Sequence, residues 1–144
     1  MADLLRATAA SWREILAGPE DLRRRPSPQV WSPLEYACHV RDVFRVYHER
    51  LTLMRTQDDP HFANWDQDAT AVEQRYGEQD PAVVREELTV AARTLAANFA
   101  SVSGDQWTRP GRRSDGAAFT IESFARYLIH DPVHHLYDVN GRRA

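Results

Sequence analysis

The chain has 144 residues, of which 42% are hydrophobic and 27% are charged, and its formal net charge is −3. This length is typical of one domain, so we expect residues 1–144 to form a single soluble domain, and no apolar run approaches the roughly eighteen residues of a membrane span. All eighteen basic residues are arginine and Cys38 is the sole cysteine, which excludes a lysine nucleophile, an intramolecular disulfide and a cysteine-rich zinc fold.

The first residues predict a helix rather than a secretion signal. Apolar side chains recur at helical spacing from Leu4 to Leu16, with Asp3 as the expected N-cap and Gly18 after the end at about Ala17. An acid and a base lie within the first six residues, where a signal peptide needs an unbroken apolar stretch. We therefore expect a cytoplasmic protein.

The second helix has the clearest start signal in the chain. Ser32 stands at the N-cap position, Pro33 at the first helical position and Glu35 at the third, which is the pattern of a capping box. We expect this helix to run to about Arg55. Its expected apolar stripe consists of Tyr36, Val40, Val43, Tyr47, Leu51 and Met54.

A long connection follows, from Asp58 to Asp80, and a short helix is expected within it near residues 69–76. Long connections that carry aromatic side chains often cover a site. We interpret Trp65 in this connection, and Trp31 before the second helix, as candidate pocket-lining residues. Packing in the core is the alternative for both side chains.

The rest of the chain predicts two more helices around a second irregular stretch. Asp80 and Pro81 open the third helix, and residues 102–119 are expected to be irregular with a short hairpin. The last helix is expected from Thr120, as N-cap, to about Val139. The expected buried face of the third helix is Val83, Val84, Leu88, Ala91, Ala92, Leu95 and Phe99. The pattern favours an all-α fold, a four-helix up-down bundle.

Three of the six histidines lie close together in the last helix. His130 and His134 are one turn apart and differ in direction by about 40°, a spacing that lets two imidazoles bind one metal ion. His135 points about 100° away from His134, so it is a candidate for support only. The alternative is a solvated polar face on which two histidines happen to align.

A catalytic metal usually takes three protein ligands, so the pair needs another. The candidates are His39, His48, His61 and Asp138. His39 and His48 are nine residues apart and point in roughly opposite directions, and their spacing does not choose between them. Asp138 continues the line of the pair by one turn, so it would bind the metal or orient His134, and Asp131 is a further candidate for such support.

Two segments carry a resemblance to a known family. The segment from Trp31 to His39 resembles the first signature of the DinB-like superfamily, and the segment from Phe124 to Val139 resembles the second. The resemblance implies a four-helix bundle with a long crossover connection. It also implies a divalent metal, Zn²⁺ or Ni²⁺, bound by His39, His130 and His134. Pro132 departs from a regular helix between two of these ligands and predicts a kink there.

The same resemblance implies an enzyme, a transferase that activates a low-molecular-weight thiol such as mycothiol or bacillithiol and passes it to an electrophile. The lysine-free, arginine-rich composition mildly favours mycothiol, and relatives suggest a homodimer. Two alternatives stay open, a metal-dependent hydrolase using the same site and a metal-binding module without turnover.

Other features are assigned plainer roles. The arginine clusters, Arg109 with Arg112 and Arg113 among them, are expected to be solvated surface, because acids outnumber bases and no aromatic residues are interleaved. No nucleic acid or membrane partner is expected. Cys38 adjoins His39, but adjacent residues of a helix do not face each other, so we expect a buried small side chain.

Overall fold

The computed structural model describes residues 1–19, 21–128 and 130. Helix α1 spans Ala2–Ala17, α2 spans Pro33–Thr56, α3 spans Gln67–Glu73 and α4 spans Pro81–Ala100. A fifth helix, α5, begins at residue 121 and includes residues 121–128 and 130. Short 3₁₀ helices occur at Tyr76–Glu78 and Gly104–Thr108, and strands β1 (Pro110–Arg112) and β2 (Ala118–Thr120) form an antiparallel hairpin.

The predicted helical fold with a long crossover is confirmed, and α1, α2, α4 and α5 form the bundle. Helix α4 packs against both α1 and α2, whereas α1 and α2 contact each other little. Helix α5 contacts α2 through Phe124, whose ring stacks on Tyr47 at a centroid distance of 4.7 Å. Among the helices of the described ranges, none has the length and apolar character needed to cross a membrane.

The predicted starts of the later helices are confirmed. The Ser32 hydroxyl accepts from the Glu35 N–H at 3.2 Å and the Glu35 carboxylate accepts from the Ser32 N–H at 3.1 Å, which completes the capping box. The Asp80 carboxylate accepts from the Ala82 N–H at 2.9 Å and caps α4, and the Thr120 hydroxyl accepts from the Ser123 N–H at 3.2 Å and caps α5. These caps satisfy backbone donors that a helix leaves open in its first turn.

Two local predictions were wrong. The N-cap of α1 is Met1, two residues earlier than expected, so Asp3 is an acid in the first turn, where the helix dipole favours it. Val83 is 52% exposed although it was assigned to the buried face of α4, while its neighbour Val84 is fully buried. Adjacent positions on a helix point about 100° apart, so only one valine of the two reaches the core.

The two irregular connections are hydrogen-bonded to each other. The Phe62 N–H donates to the Arg112 carbonyl at 2.8 Å, and the Arg112 N–H donates to the Pro60 carbonyl at 2.9 Å. Gly111 makes this approach possible, because a Cβ there would lie 2.7 Å from the Phe62 ring and 2.8 Å from the Met54 side chain. The crossover and the hairpin therefore form one unit beside α2.

Candidate functional site

His39 is the most enclosed histidine of the described ranges and lies one turn after the capping box of α2. It is fully buried, at 0% exposure. The indole of Trp31 packs on it at a centroid distance of 5.2 Å, and the indole of Trp65 stacks on it at 5.9 Å with an interplanar angle of 6°. Two side chains predicted to line a pocket thus enclose a predicted metal ligand.

A buried polar cluster holds the crossover in this position. Tyr76, which is 1% exposed, packs edge-on against Trp31 at 6.2 Å and donates its hydroxyl to the Asp42 carboxylate. The Arg41 guanidinium binds Asp42 at 3.0 Å and the Gln79 side chain at 2.7 Å. Because every partner here is charged or polar and hydrogen-bonded, the cluster fixes the end of the crossover against α2.

Cys38 lies within this cluster, and its thiol is unreactive. Its thiol is 0% exposed and contacts the Tyr76 carbonyl at 3.8 Å and the Gln79 side chain at 3.7 Å. Burial raises the pKa of Cys38 to about 12, so the thiolate does not form at neutral pH. The prediction of a buried small side chain is confirmed.

A cleft of about 390 Å³ is lined in part by Trp65. Helix α2, the crossover, the hairpin turn and α5 all contribute to it. Its lining residues are Val43, Tyr47, Arg50, Asn64, Trp65, Gln67, Arg113, Ser114, Asp115, Tyr127 and His130. Trp65 therefore contacts His39 and also lines the cleft that His130 lines.

The four candidate histidines of the described ranges have different surroundings. His130 is exposed and lines the cleft, whereas His39 is buried, stacks on Trp65 and is not among the lining residues. His48 lies on another side of α2, where its Nδ1 is 3.1 Å from the Asn98 side-chain nitrogen, and His61 is exposed. Spacing alone did not choose between His39 and His48; the packing places His39 beside the cleft.

The remaining predicted site residues lie outside the described ranges. They are Asp131, Pro132, His134, His135 and Asp138. Within residues 1–19, 21–128 and 130, no group of three metal-binding side chains is found. The proposed ligand set therefore has two members within the described ranges and one beyond them.

No sequence pattern indicated a role in the cleft for Arg113, and little indicated one for Arg50, the two arginines among its described lining residues. Arg113 was assigned to solvated surface, but it lines the cleft and donates to Asp115 and to the Tyr127 hydroxyl. Arg109, from the same cluster, donates to the Met54 carbonyl at 2.6 Å and so ties the hairpin to α2. One feature of the sequence pointed to Arg50: it lies one turn after Tyr47, on the face of α2 that α5 covers.

Comparison with known proteins gives a family and a set of similar folds. A family model described as the DinB superfamily matches residues 2–139. No curated protein sequence matches the chain. YfiT from Bacillus subtilis, described as a probable metal-dependent hydrolase with an unusual four-helix bundle topology, superposes with a TM-score of 0.85 at 18% identity, covering 99% of this chain and 84% of YfiT.

A second fold neighbour is the mycothiol-dependent maleylpyruvate isomerase. Its structure superposes with a TM-score of 0.74 at 12% identity, and a histidine-to-alanine variant of it with 0.77 at 11% identity. Each match covers 96% of this chain, which spans 58% of the length of the isomerase. At these identities the likeness is one of fold.

Proposed function

This chain belongs to the DinB superfamily, and from that premise we propose that it is a metal-dependent enzyme whose divalent ion is bound by His39, His130 and His134. The observation that carries the proposal is the placement of His39. It is fully buried between two tryptophans, and one of them, Trp65, lines the cleft that also contains His130. A buried imidazole next to a cleft is a common arrangement for a metal ligand.

The side chains around His39 suit a ligand to Zn²⁺ or Ni²⁺. Neutral imidazole nitrogen is a preferred donor for both ions. Stacking by Trp65 and packing by Trp31 hold the ring in one orientation, because a rotation would displace an indole. Aromatic surroundings also keep water away from the ligand, which strengthens its bond to a cation.

The chain's own side chains support a thiol cosubstrate. There is no lysine in the sequence, and Cys38 is buried with a pKa of about 12, so neither supplies a nucleophile. A divalent ion on three neutral imidazoles lowers the pKa of a bound thiol or water and makes it a nucleophile at neutral pH. We propose a transferase that uses a low-molecular-weight thiol, of the mycothiol or bacillithiol type, and an electrophile bound in the cleft. The fold neighbour described as mycothiol-dependent supports this choice.

A metal-dependent hydrolase is the second candidate. Its support is the match to YfiT, which is described as a probable metal-dependent hydrolase and of which this chain covers 84%, against 58% of the isomerase. The same histidines and the same cleft would serve, with water in place of the thiol. The two candidates therefore share a ligand set and differ in the nucleophile.

Metal content tests the shared site. We would measure bound divalent metal by mass spectrometry in the wild type and in His39→Gln, His130→Ala and His134→Ala. We expect about one ion per chain in the wild type and loss of it in each variant. His61→Ala is the matched control, since His61 is exposed and outside the cleft. A wild type without metal, or folded variants that keep it, would refute the ligand set.

Turnover separates the candidates. The metal-loaded and metal-free proteins would be given a cellular thiol with chlorodinitrobenzene, and separately a nitrophenyl ester without thiol. Metal-dependent conjugation identifies a transferase, and metal-dependent ester cleavage identifies a hydrolase. A metal-binding protein that does neither with any substrate of either class is the non-catalytic module.

A further inference from the structure

The cleft contains a cation that lacks a carboxylate partner within the described part of the chain. Arg50 is partly buried, and its guanidinium lies over the Tyr47 ring at 5.6 Å and the Phe62 ring at 5.2 Å. Its Nη2 donates to the Ala63 carbonyl at 3.3 Å. Aromatic faces and one carbonyl hold the group in place. Among the described residues no carboxylate forms an ion pair with it, and the charge of the adjacent Glu49 acts on it only at longer range.

A partly buried cation without an ion-paired carboxylate favours a bound anion. Withdrawal of a guanidinium from water has a free-energy cost that an anion offsets through hydrogen bonds of the charged type. Burial lowers the pKa of Arg50, and the nearby charge of Arg113 lowers it further. Both effects act on the positive charge, and both are relieved when a negative group enters.

The second cation of the cleft, Arg113, already has hydrogen-bond partners. Arg113 donates from Nη2 to the Asp115 carboxylate at 2.8 Å and from Nη1 to the Tyr127 hydroxyl at 3.0 Å. Asp115 itself is largely exposed, at 59% of its side chain. Arg50 is therefore the open anion-binding group, and Arg113 adds positive potential across the cleft.

We infer that the cleft binds the carboxylate of a small, planar substrate through Arg50, with Trp65 packing against the planar part. This inference rests on the proposed function, because it names the substrate class of the same site. A guanidinium matches a carboxylate through two parallel hydrogen bonds. The volume of about 390 Å³ is that of a small-molecule pocket, and the aromatic walls favour a conjugated or aromatic ligand.

Benzoate and benzamide are matched probes for the test, since they differ in charge and not in shape. Each would be titrated into the metal-free protein while the indole N–H signal of Trp65, assigned with Trp65→Phe, is followed by NMR. We expect benzoate to shift this signal in a saturable way and to bind at least about tenfold more tightly than benzamide. Equal binding of the two probes, or no binding of benzoate, would overturn the inference.

Variants of the cations identify the group responsible. Arg50→Gln is expected to weaken benzoate binding by about tenfold to a hundredfold. Arg50→Lys is expected to weaken it by less, because lysine keeps the charge but cannot form the two parallel hydrogen bonds of a guanidinium. Arg93→Gln is the control, an exposed arginine of α4 outside the cleft. A folded Arg50→Gln that binds benzoate as the wild type does would refute the role of Arg50.

Asp115→Asn tests the same idea in the opposite direction. Asparagine keeps an oxygen to accept from the Ala117 N–H, as Asp115 does at 3.0 Å, but removes the carboxylate that occupies Arg113. We expect benzoate to bind several-fold more tightly to this variant; unchanged or weaker binding would count against the charge argument.

The probe titration is independent of the metal assay. Arg50→Gln is expected to keep the metal content of the wild type, because Arg50 is not a proposed ligand. A wild type that binds no metal but selects benzoate would refute the proposed function alone. A wild type that binds metal but does not select benzoate would refute this inference alone.

Discussion

The carboxylate of Glu35 fixes the start of the helix that carries His39, and its replacement by glutamine has a calculable cost. Glu35 is 6% exposed. It accepts from the Ser32 N–H at 3.1 Å, from Arg25 Nε at 2.8 Å and from Arg25 Nη2 at 2.5 Å. Burial alone would raise the pKa of Glu35, but the hydrogen bonds from Arg25 and Ser32 outweigh it and the pKa is lowered.

Glu35→Gln keeps an oxygen for the Ser32 N–H and loses the charged pair with Arg25. A hydrogen bond to a charged group contributes about 1.5–3 kcal/mol. The Arg25 side chain is 44% exposed, so water recovers part of its hydration when the pair is lost. We therefore expect a loss of about 1–2 kcal/mol in the free energy of unfolding, and a Tm lower by about 3–6 °C.

The pH dependence of this loss gives the sharper assay. The folded-state pKa of Glu35 lies below the unfolded value, so its contribution is present at pH values above the unfolded pKa and is lost as the pH falls through the folded pKa. Urea unfolding of both proteins should show a stability difference at neutral pH that shrinks as the pH falls below the ordinary pKa of glutamate, about 4.3.

Glu14→Gln serves as the control, because Glu14 is exposed on α1 and its replacement should leave the stability unchanged. Equal stability of the wild type and Glu35→Gln at neutral pH would refute this account of Glu35. A difference that is constant across the pH range would show that the cost of the substitution is steric.

Two further predictions concern packing and reactivity. Gly111→Ala should lower the free energy of unfolding by about 1–3 kcal/mol, because the new methyl overlaps the Phe62 ring, while Gly77→Ala, whose Cβ meets nothing closer than 3.9 Å, should cost much less. Calorimetry of the two variants checks this, and equal losses would contradict it. Cys38 should react with a disulfide reagent at about pH 8 at least a hundredfold more slowly in the native protein than in urea, because its pKa is about 12 and its thiol is buried. Similar rates in both conditions would contradict its assignment as inert.

The predictions that were confirmed here depend on neighbouring residues, and most of those that were wrong depend on packing between distant segments. The caps at Ser32, Asp80 and Thr120 are local hydrogen-bonding patterns, so they could be read directly. Val83 is exposed because helix packing selects one of two adjacent valines, and composition cannot distinguish them. The assignment of Asp3 as an N-cap was wrong because an acid in the first turn and an acid at the N-cap look alike in a sequence.

The candidate site likewise combines features set by local spacing with features set by contacts between distant segments. Helical periodicity indicated that His130 and His134 share one face, but it did not distinguish His39 from His48, since both flank the apolar stripe of α2. The resemblance implied His39, and the structure shows that His39 is buried against Trp65 while His48 contacts Asn98. Arg50 and Arg113 are far apart in the sequence and line one cleft because the crossover and the hairpin are paired. No pattern within either segment records that pairing.

The pairing of the two connections has an evolutionary consequence. His39 and His130, two of the histidines proposed to bind metal, stand on helices, whereas Trp65, Arg113 and Asp115 stand on the crossover and on the turn of the hairpin. Loops accept substitutions more readily than packed helices do. Selection can therefore alter the lining of the cleft through substitutions in these two hydrogen-bonded connections, while the helices that carry His39 and His130 stay unchanged.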